Sequence, residues 1–285
     1  MRGQSGIGER VRCFTWKCLA VVALRSLELS LVAPASAEEL VRFDSAAPRL
    51  PRAGQDRGAP AIQGYLTRPS GAGPYPAVAL LHSCLGLPAD RRAIAGALAS
   101  WGYVALFVDD FATRGLRETC AVDFGEGGAD AYGALAYLSR LSQVDPSRIA
   151  AVGYSQGADT ALAIASARFA SAFAISPHLK FKAAAAFYPP CANQGGASLQ
   201  IPTLILIGES DDVTPAADCA RLARGQPGDR ADVKLVVYPG ARHGFDNPGF
   251  VGGRRLLGMW LQYDRIAADK SMSELRDFLA AKLAR

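Results

Sequence analysis

Arg148-Ile-Ala-Ala-Val-Gly-Tyr-Ser-Gln-Gly-Ala-Asp-Thr-Ala-Leu-Ala-Ile-Ala-Ser-Ala167 is the stretch that decides the fold. Its first part, to Tyr154, is apolar without alternation, the pattern of a strand covered on both faces. From Gln156 onward the apolar residues recur at helical spacing. Between them Gly153-Tyr-Ser-Gln-Gly157 is a G-x-S-x-G pentapeptide in the strand-turn-helix context that a nucleophile elbow requires. Side chains beside the serine would crowd so sharp a turn, so glycine flanks it and Ser155 Oγ is expected to project off the end of the sheet.

The same alternation of segments extends outward from this point. Strands are expected at Ala61 to Thr67, Ala77 to His82, Tyr103 to Val108, Arg148 to Tyr154, Lys182 to Tyr188, Thr203 to Gly208 and Val233 to Tyr238. Helical patterns lie at Asp90 to Trp101, Ala129 to Leu141, Gln156 to Ala167, Pro215 to Ala223 and Ser271 to Leu283. A βαβα order predicts a mostly parallel sheet with helices on both faces, an α/β class. No repeat or composition shift divides it, so residues 38–285 read as a single domain, and the polar run through Pro60 is assigned no element. Ligands of such sheets sit beyond the carboxyl ends of the strands.

Composition narrows the function. The 285 residues carry 31 Lys and Arg against 26 Asp and Glu, with half of all residues apolar, which excludes global disorder. No basic run suits nucleic acid, so no nucleic-acid partner is expected. The basic N-terminal residues Arg2, Arg10, Arg12 and Lys17 precede the apolar stretch Cys18 to Leu24, and Ala35-Ser36-Ala37 forms a small-residue cleavage motif. Residues 1–37 therefore read as a secretory signal peptide, although Arg25 and Glu28 interrupt its apolar part. Its removal leaves 26 basic and 24 acidic residues, a net charge of +2, and a protein expected in the periplasm or outside the cell; without a working signal it would be cytoplasmic. No other stretch is long and apolar enough to span a membrane, so none is expected as a partner once the signal is gone. Cys84, Cys120, Cys191 and Cys219 then remain, an even number that an oxidising compartment could pair. No metal-ligand spacing and no nucleotide-binding glycine pattern is present, so neither metal nor cofactor is expected.

A serine hydroxyl is nearly inert until an imidazole takes its proton and a third group holds that imidazole. The chain offers only His82, His178 and His243. In the order serine, acid, histidine, His243 is the base, because it follows the last strand in Tyr238-Pro-Gly-Ala-Arg-His-Gly-Phe-Asp246. The strand Thr203 to Gly208 runs into Glu209-Ser-Asp-Asp212, and Asp211 is favoured as the orienting acid, with Asp212 next. Negative charge developing on a tetrahedral intermediate needs two aimed N–H groups. One is expected from Gln156, and the other from Cys84, or failing that Ser83, in the loop after Leu81. His82 is expected to pack beneath that loop.

Together these pieces resemble the dienelactone hydrolase family of the α/β-hydrolase superfamily. The resemblance runs from about Gly64 to Leu283 through His82-Ser-Cys-Leu-Gly-Leu87, Trp101-Gly-Tyr-Val-Ala-Leu106, Asp110-Phe-Ala-Thr-Arg-Gly115, Phe187-Tyr-Pro189, Gly208-Glu-Ser-Asp-Asp212 and the segments around Ser155 and His243. It implies an α/β-hydrolase fold with a sheet of about eight strands, a nucleophile-acid-histidine triad, and cofactor-free hydrolysis of small-molecule ester or lactone bonds. It also implies the pairings Cys84–Cys120 and Cys191–Cys219. The chain departs from the founding lactone hydrolases, which carry a cysteine at Ser155, a glutamate at Ser83 and an arginine at Asn247, so dienelactone itself is a doubtful substrate. Arg114, with Arg117 beside it, is the residue that could meet an anionic substrate. Acyl transfer, peptide hydrolysis, or non-catalytic binding on the same scaffold stay open as alternatives.

Overall fold

A computed structural model describes residues 37–47, 61–122, 124–166, 172–173, 176, 178–194, 198–225 and 232–285. The expected signal segment, apart from Ala37, lies outside the described residues. No helix among the described residues is long and apolar enough to cross a membrane.

Among these residues the main sheet is built from β1 (Glu39–Asp44), β2 (Ala61–Thr67), β3 (Tyr75–Leu81), β4 (Val104–Asp109), β5 (Val144–Tyr154), β6 (Ala183–Phe187), β7 (Thr203–Gly208) and β8 (Val233–Tyr238). Its order is β1-β2-β4-β3-β5-β6-β7-β8. Only the β1–β2 and β2–β4 pairs are antiparallel; from β4 to β8 every pair is parallel. The helices are α1 (Arg91–Ser100), α2 (Gly127–Leu138), α3 (Gln156–Ala165), α4 (Ala216–Ala223) and α5 (Arg265–Lys282).

The parallel strands lack alternation because both their faces are covered. Val78, Leu80 and Phe107 pack with Leu98 of α1 and Leu275 and Leu279 of α5. Their neighbours Ala77, Ala79, Leu81 and Leu106 point the other way, against Ala131, Leu135 and Leu138 of α2. Burying one such Leu or Phe contributes about 2 kcal/mol, so the two layers supply most of the favourable free energy.

Three features differ from the sequence expectations. The run before Pro60 is not without structure: Glu39-Leu-Val-Arg-Phe-Asp44 forms the edge strand, with Val41 and Phe43 turned inward and their neighbours exposed. Helix α5 starts at Arg265, six residues before the expected Ser271, because the Asp264 side chain accepts the Ala267 N–H at 2.9 Å and caps it. Between β8 and α5 lies a hairpin, β9 (Arg254–Leu256) and β10 (Met259–Leu261). Its turn residues Leu257 and Gly258 have φ of 51° and 83°, the left-handed pair of a tight two-residue hairpin turn.

Candidate active site

Ser155 stands between β5 and α3 with φ 52° and ψ −111°, a conformation side chains rarely adopt. Its N–H donates to the Phe187 carbonyl at 2.9 Å and its carbonyl accepts from the Asp159 N–H at 3.0 Å, which pins the strained residue from both sides. The flanking glycines are dictated by space. A Cβ on Gly153 would lie 2.0 Å from the Gly157 carbonyl oxygen, and one on Gly157 would lie 2.3 Å from that of Leu81.

The loop after β8 delivers His243, buried at 3% exposure, to the same rim. Its Nε2 is 2.9 Å from Ser155 Oγ. Its Nδ1 is 2.9 Å from Asp211 Oδ2, in the loop after β7. The carboxylate is fixed in turn: Oδ1 accepts the N–H groups of Val213 at 2.9 Å and Thr214 at 2.8 Å, and Oδ2 accepts the Thr214 hydroxyl at 2.9 Å. The neighbouring acids stand elsewhere. Asp212 is exposed and 3.7 Å from Arg242, and Glu209 accepts the Gly240 N–H at 3.1 Å.

Gln156 is the first residue of α3, where an N–H has no acceptor within the helix. Cys84 and Ser83 lie in the loop after β3 and line the same cavity as Ser155 and His243. His82 points beneath that loop, its Nε2 2.7 Å from Asp110 Oδ1 and its ring edge-on to Phe111. Burial favours its neutral form, but the hydrogen bond and charge of Asp110, with the Ser83 carbonyl and Asp109, outweigh burial and raise its pKa above 6.5. His178 is exposed.

Arg114 does not reach this cavity. Its guanidinium is held by Glu126 at 2.6 Å, by the fully buried Asp130 at 2.9 Å and by the Asp110 carbonyl at 2.5 Å. Four of its five N–H donors are committed to these internal acceptors, so its guanidinium is spent within the fold and stands outside the cavity lining, away from where the sequence reading expected it to meet substrate. Burial pushes Asp130 up to about 6 against the pull of Arg114 and Ser45. Arg117 is exposed and likewise outside the cavity lining.

The cavity measures about 340 Å³. Leu85, Leu87 and Pro88 form one wall, and Leu256, Met259 and Leu261 of the unforeseen hairpin form another. The hairpin is tied to the loop of His243, since the Gln262 N–H donates to the His243 carbonyl at 3.1 Å. Tyr188, also unforeseen, sets its ring edge-on to His243 at 4.7 Å and donates its hydroxyl to Asp246 at 2.8 Å. Burial first, and then the Asp246 charge, raise the Tyr188 hydroxyl well above 10, so it stays a donor. Both cysteine pairs are disulfides, Cys84–Cys120 and Cys191–Cys219. Among the described residues no cluster of His, Cys, Asp or Glu could hold a metal ion.

A chain of hydrogen bonds from carboxylate through imidazole to a serine on a strained turn can generate an alkoxide-like nucleophile. Comparison with known proteins bears on the family and the fold. The model of the dienelactone hydrolase family matches residues 62–283. The protein Rv2307c of Mycobacterium tuberculosis strain H37Rv is 29% identical over 273 residues, covering 86% of this chain and 93% of that protein. Among solved structures, a dienelactone hydrolase-like promiscuous phosphotriesterase from metagenomic libraries superposes with a TM-score of 0.65 at 20% identity, over 87% of this chain and 100% of the other. A thermophilic esterase from Thermogutta terrifontis gives 0.61 at 20% identity, over 84% and 94%. At such identities the structural likeness speaks for the fold.

Proposed function

We propose that this chain, which belongs to the dienelactone hydrolase family over residues 62–283, hydrolyses small carboxylic esters or lactones through an acyl-enzyme on Ser155. The observation that carries the proposal is the continuous pair of 2.9 Å contacts from Asp211 through His243 to Ser155.

In the first half-reaction His243 Nε2 takes the Ser155 proton as Oγ attacks the substrate carbonyl carbon. Asp211 holds the Nδ1–H tautomer and stabilises the imidazolium as it forms. The N–H groups of Cys84 and Gln156 receive the negative charge on the carbonyl oxygen. Collapse of the tetrahedral intermediate breaks the ester C–O bond, and the imidazolium returns its proton to the leaving alkoxide. Water, deprotonated by His243, then releases the carboxylic acid by the same path. Such donor pairs act most strongly where water is excluded, and the apolar walls from Leu85 to Pro88 and from Leu256 to Leu261 suit a substrate with an aliphatic part.

Residues 1–37 act in this reading as an export signal and residues 38–285 as one mature domain. Two disulfides and the leader pattern support residence in the periplasm or outside the cell. The test is turnover of p-nitrophenyl and lactone substrates of graded length. Wild type is expected to hydrolyse members of that series, and Ser155→Ala to hydrolyse none. Wild type that turns over no ester while still being labelled at Ser155 would redirect the reading to acyl transfer.

A further inference from the structure

We infer that Thr119 is a positioning residue that holds the two halves of the oxyanion hole at a fixed separation, an inference that rests on Cys84 and Gln156 being its donors. Those donors come from segments far apart in the chain, the loop after β3 and the first turn of α3, which meet through the close backbone packing of Gly157 on Leu81 and His82. Thr119, in the loop between β4 and α2, touches both. Its N–H donates to the Cys84 carbonyl at 2.9 Å. Its hydroxyl donates to Gln156 Oε1 at 2.8 Å. The residue is 2% exposed, so these bonds do not compete with water. The next residue, Cys120, adds a covalent link to Cys84. One corner of one loop thus holds Cys84 by its backbone carbonyl and Gln156 by its side chain, the two residues on either side of the expected oxyanion.

The consequence follows from how steeply oxyanion stabilisation depends on distance. Donors act at 2.7–3.1 Å from the developing charge, and a displacement near 1 Å costs up to about a hundredfold in rate. Among the described residues the hydrogen bonds of Thr119 run to Cys84, Gln156 and Val122, not to His243 or Asp211. Its loss should therefore spare substrate binding and the ionisation of the base while slowing the step in which charge develops.

The experiment compares Thr119→Val, Thr119→Ser, Gln156→Met and the Val/Met double variant, using a p-nitrophenyl ester that wild type hydrolyses. Melting temperatures report whether each variant folds. Thr119→Val is expected to lower kcat about ten- to a hundredfold with KM and the acid limb of the pH profile unmoved. Thr119→Ser should restore most of kcat, because it keeps the hydroxyl. Gln156→Met keeps the backbone donor but removes Oε1; it should lose kcat similarly, and the double variant should be no slower than the slower single one. The inference is overturned if Thr119→Val stays within twofold of wild type, if the two losses multiply, or if Thr119→Ser is as slow as Thr119→Val. Should Thr119→Val fail to fold, Thr119→Ser and Gln156→Met decide it by the same criteria. A wild type that turns over no ester removes the underlying reading instead, whereas active wild type with unaffected Thr119→Val removes Thr119 alone.

Discussion

Gly157→Ala asks whether the elbow geometry is needed for both the fold and the chemistry. The added Cβ would lie 2.3 Å from the Leu81 carbonyl oxygen and 2.5 Å from that of His82. Contacts of 3.0 Å are about the closest a real Cβ makes, so α3 and the end of β3 would have to part by roughly 0.5 to 0.7 Å, and neither is a flexible side chain that can turn aside. Overpacking of this kind costs about 1–3 kcal/mol. The gap opens between the two segments carrying Gln156 and Cys84, so it would also move the two proposed oxyanion donors apart by roughly 0.5 to 0.7 Å. We expect about 3 kcal/mol lost in urea unfolding and kcat on a p-nitrophenyl ester lowered about a hundredfold, with the larger effect on kcat than on KM. A Gly157→Ala enzyme as stable and as fast as wild type would refute the argument that backbone contact at this point sets the separation of the donors.

Asp211→Asn leaves the shape of the site but lets His243 take the wrong tautomer, so kcat should fall about 10⁴-fold, whereas exposed Asp212→Asn should stay within about twofold; equal losses in an activity assay would reverse the assignment of the acid. Asp130 holds its proton up to about 6 in the fold against 3.8 in the unfolded chain, so between those values the folded state binds more protons and stability falls as pH rises. Relative to Asp130→Asn, which does not titrate, wild type should lose about 2 kcal/mol in chemical unfolding between pH 4 and 6; a constant difference would contradict a buried, reluctantly ionised carboxyl. The two disulfides close segments of 36 and 28 residues, and their reduction should each cost about 4 kcal/mol by loss of constraint on the unfolded chain, read as a lower melting temperature in a reducing buffer; an unchanged value would refute the estimate.

The parallel centre of the sheet was legible because strands covered on both faces, such as Ala77 to Leu81 and Leu204 to Ile207, cannot hide their composition. The edge strand Glu39–Asp44 does alternate, but it is short and sits beside a polar run that obscures it. The hairpin wall was not legible at all: Arg254-Arg-Leu-Leu-Gly-Met-Trp-Leu261 has no two-residue period, and its turn depends on Leu257 accepting a left-handed conformation. In the site, scarcity helped, since three histidines leave few bases to weigh. Adjacent acids such as Asp211 and Asp212 differ only in which way the loop turns them, which no composition records. Arg114 misled because its partner Asp130 is sixteen residues on, across the turn into α2. Thr119, Tyr188 and Thr214 matter through contacts made across the fold, and residue type alone gives no sign of them.

The most direct test of the account is covalent trapping. Wild-type protein exposed to an active-site-directed fluorophosphonate and digested for mass spectrometry should carry a single adduct on the peptide containing Ser155, with labelling absent in Ser155→Ala and slowed by orders of magnitude in His243→Ala. An adduct on another residue, or labelling of Ser155 as fast without His243 as with it, would contradict the claim that this serine is a nucleophile activated by this histidine.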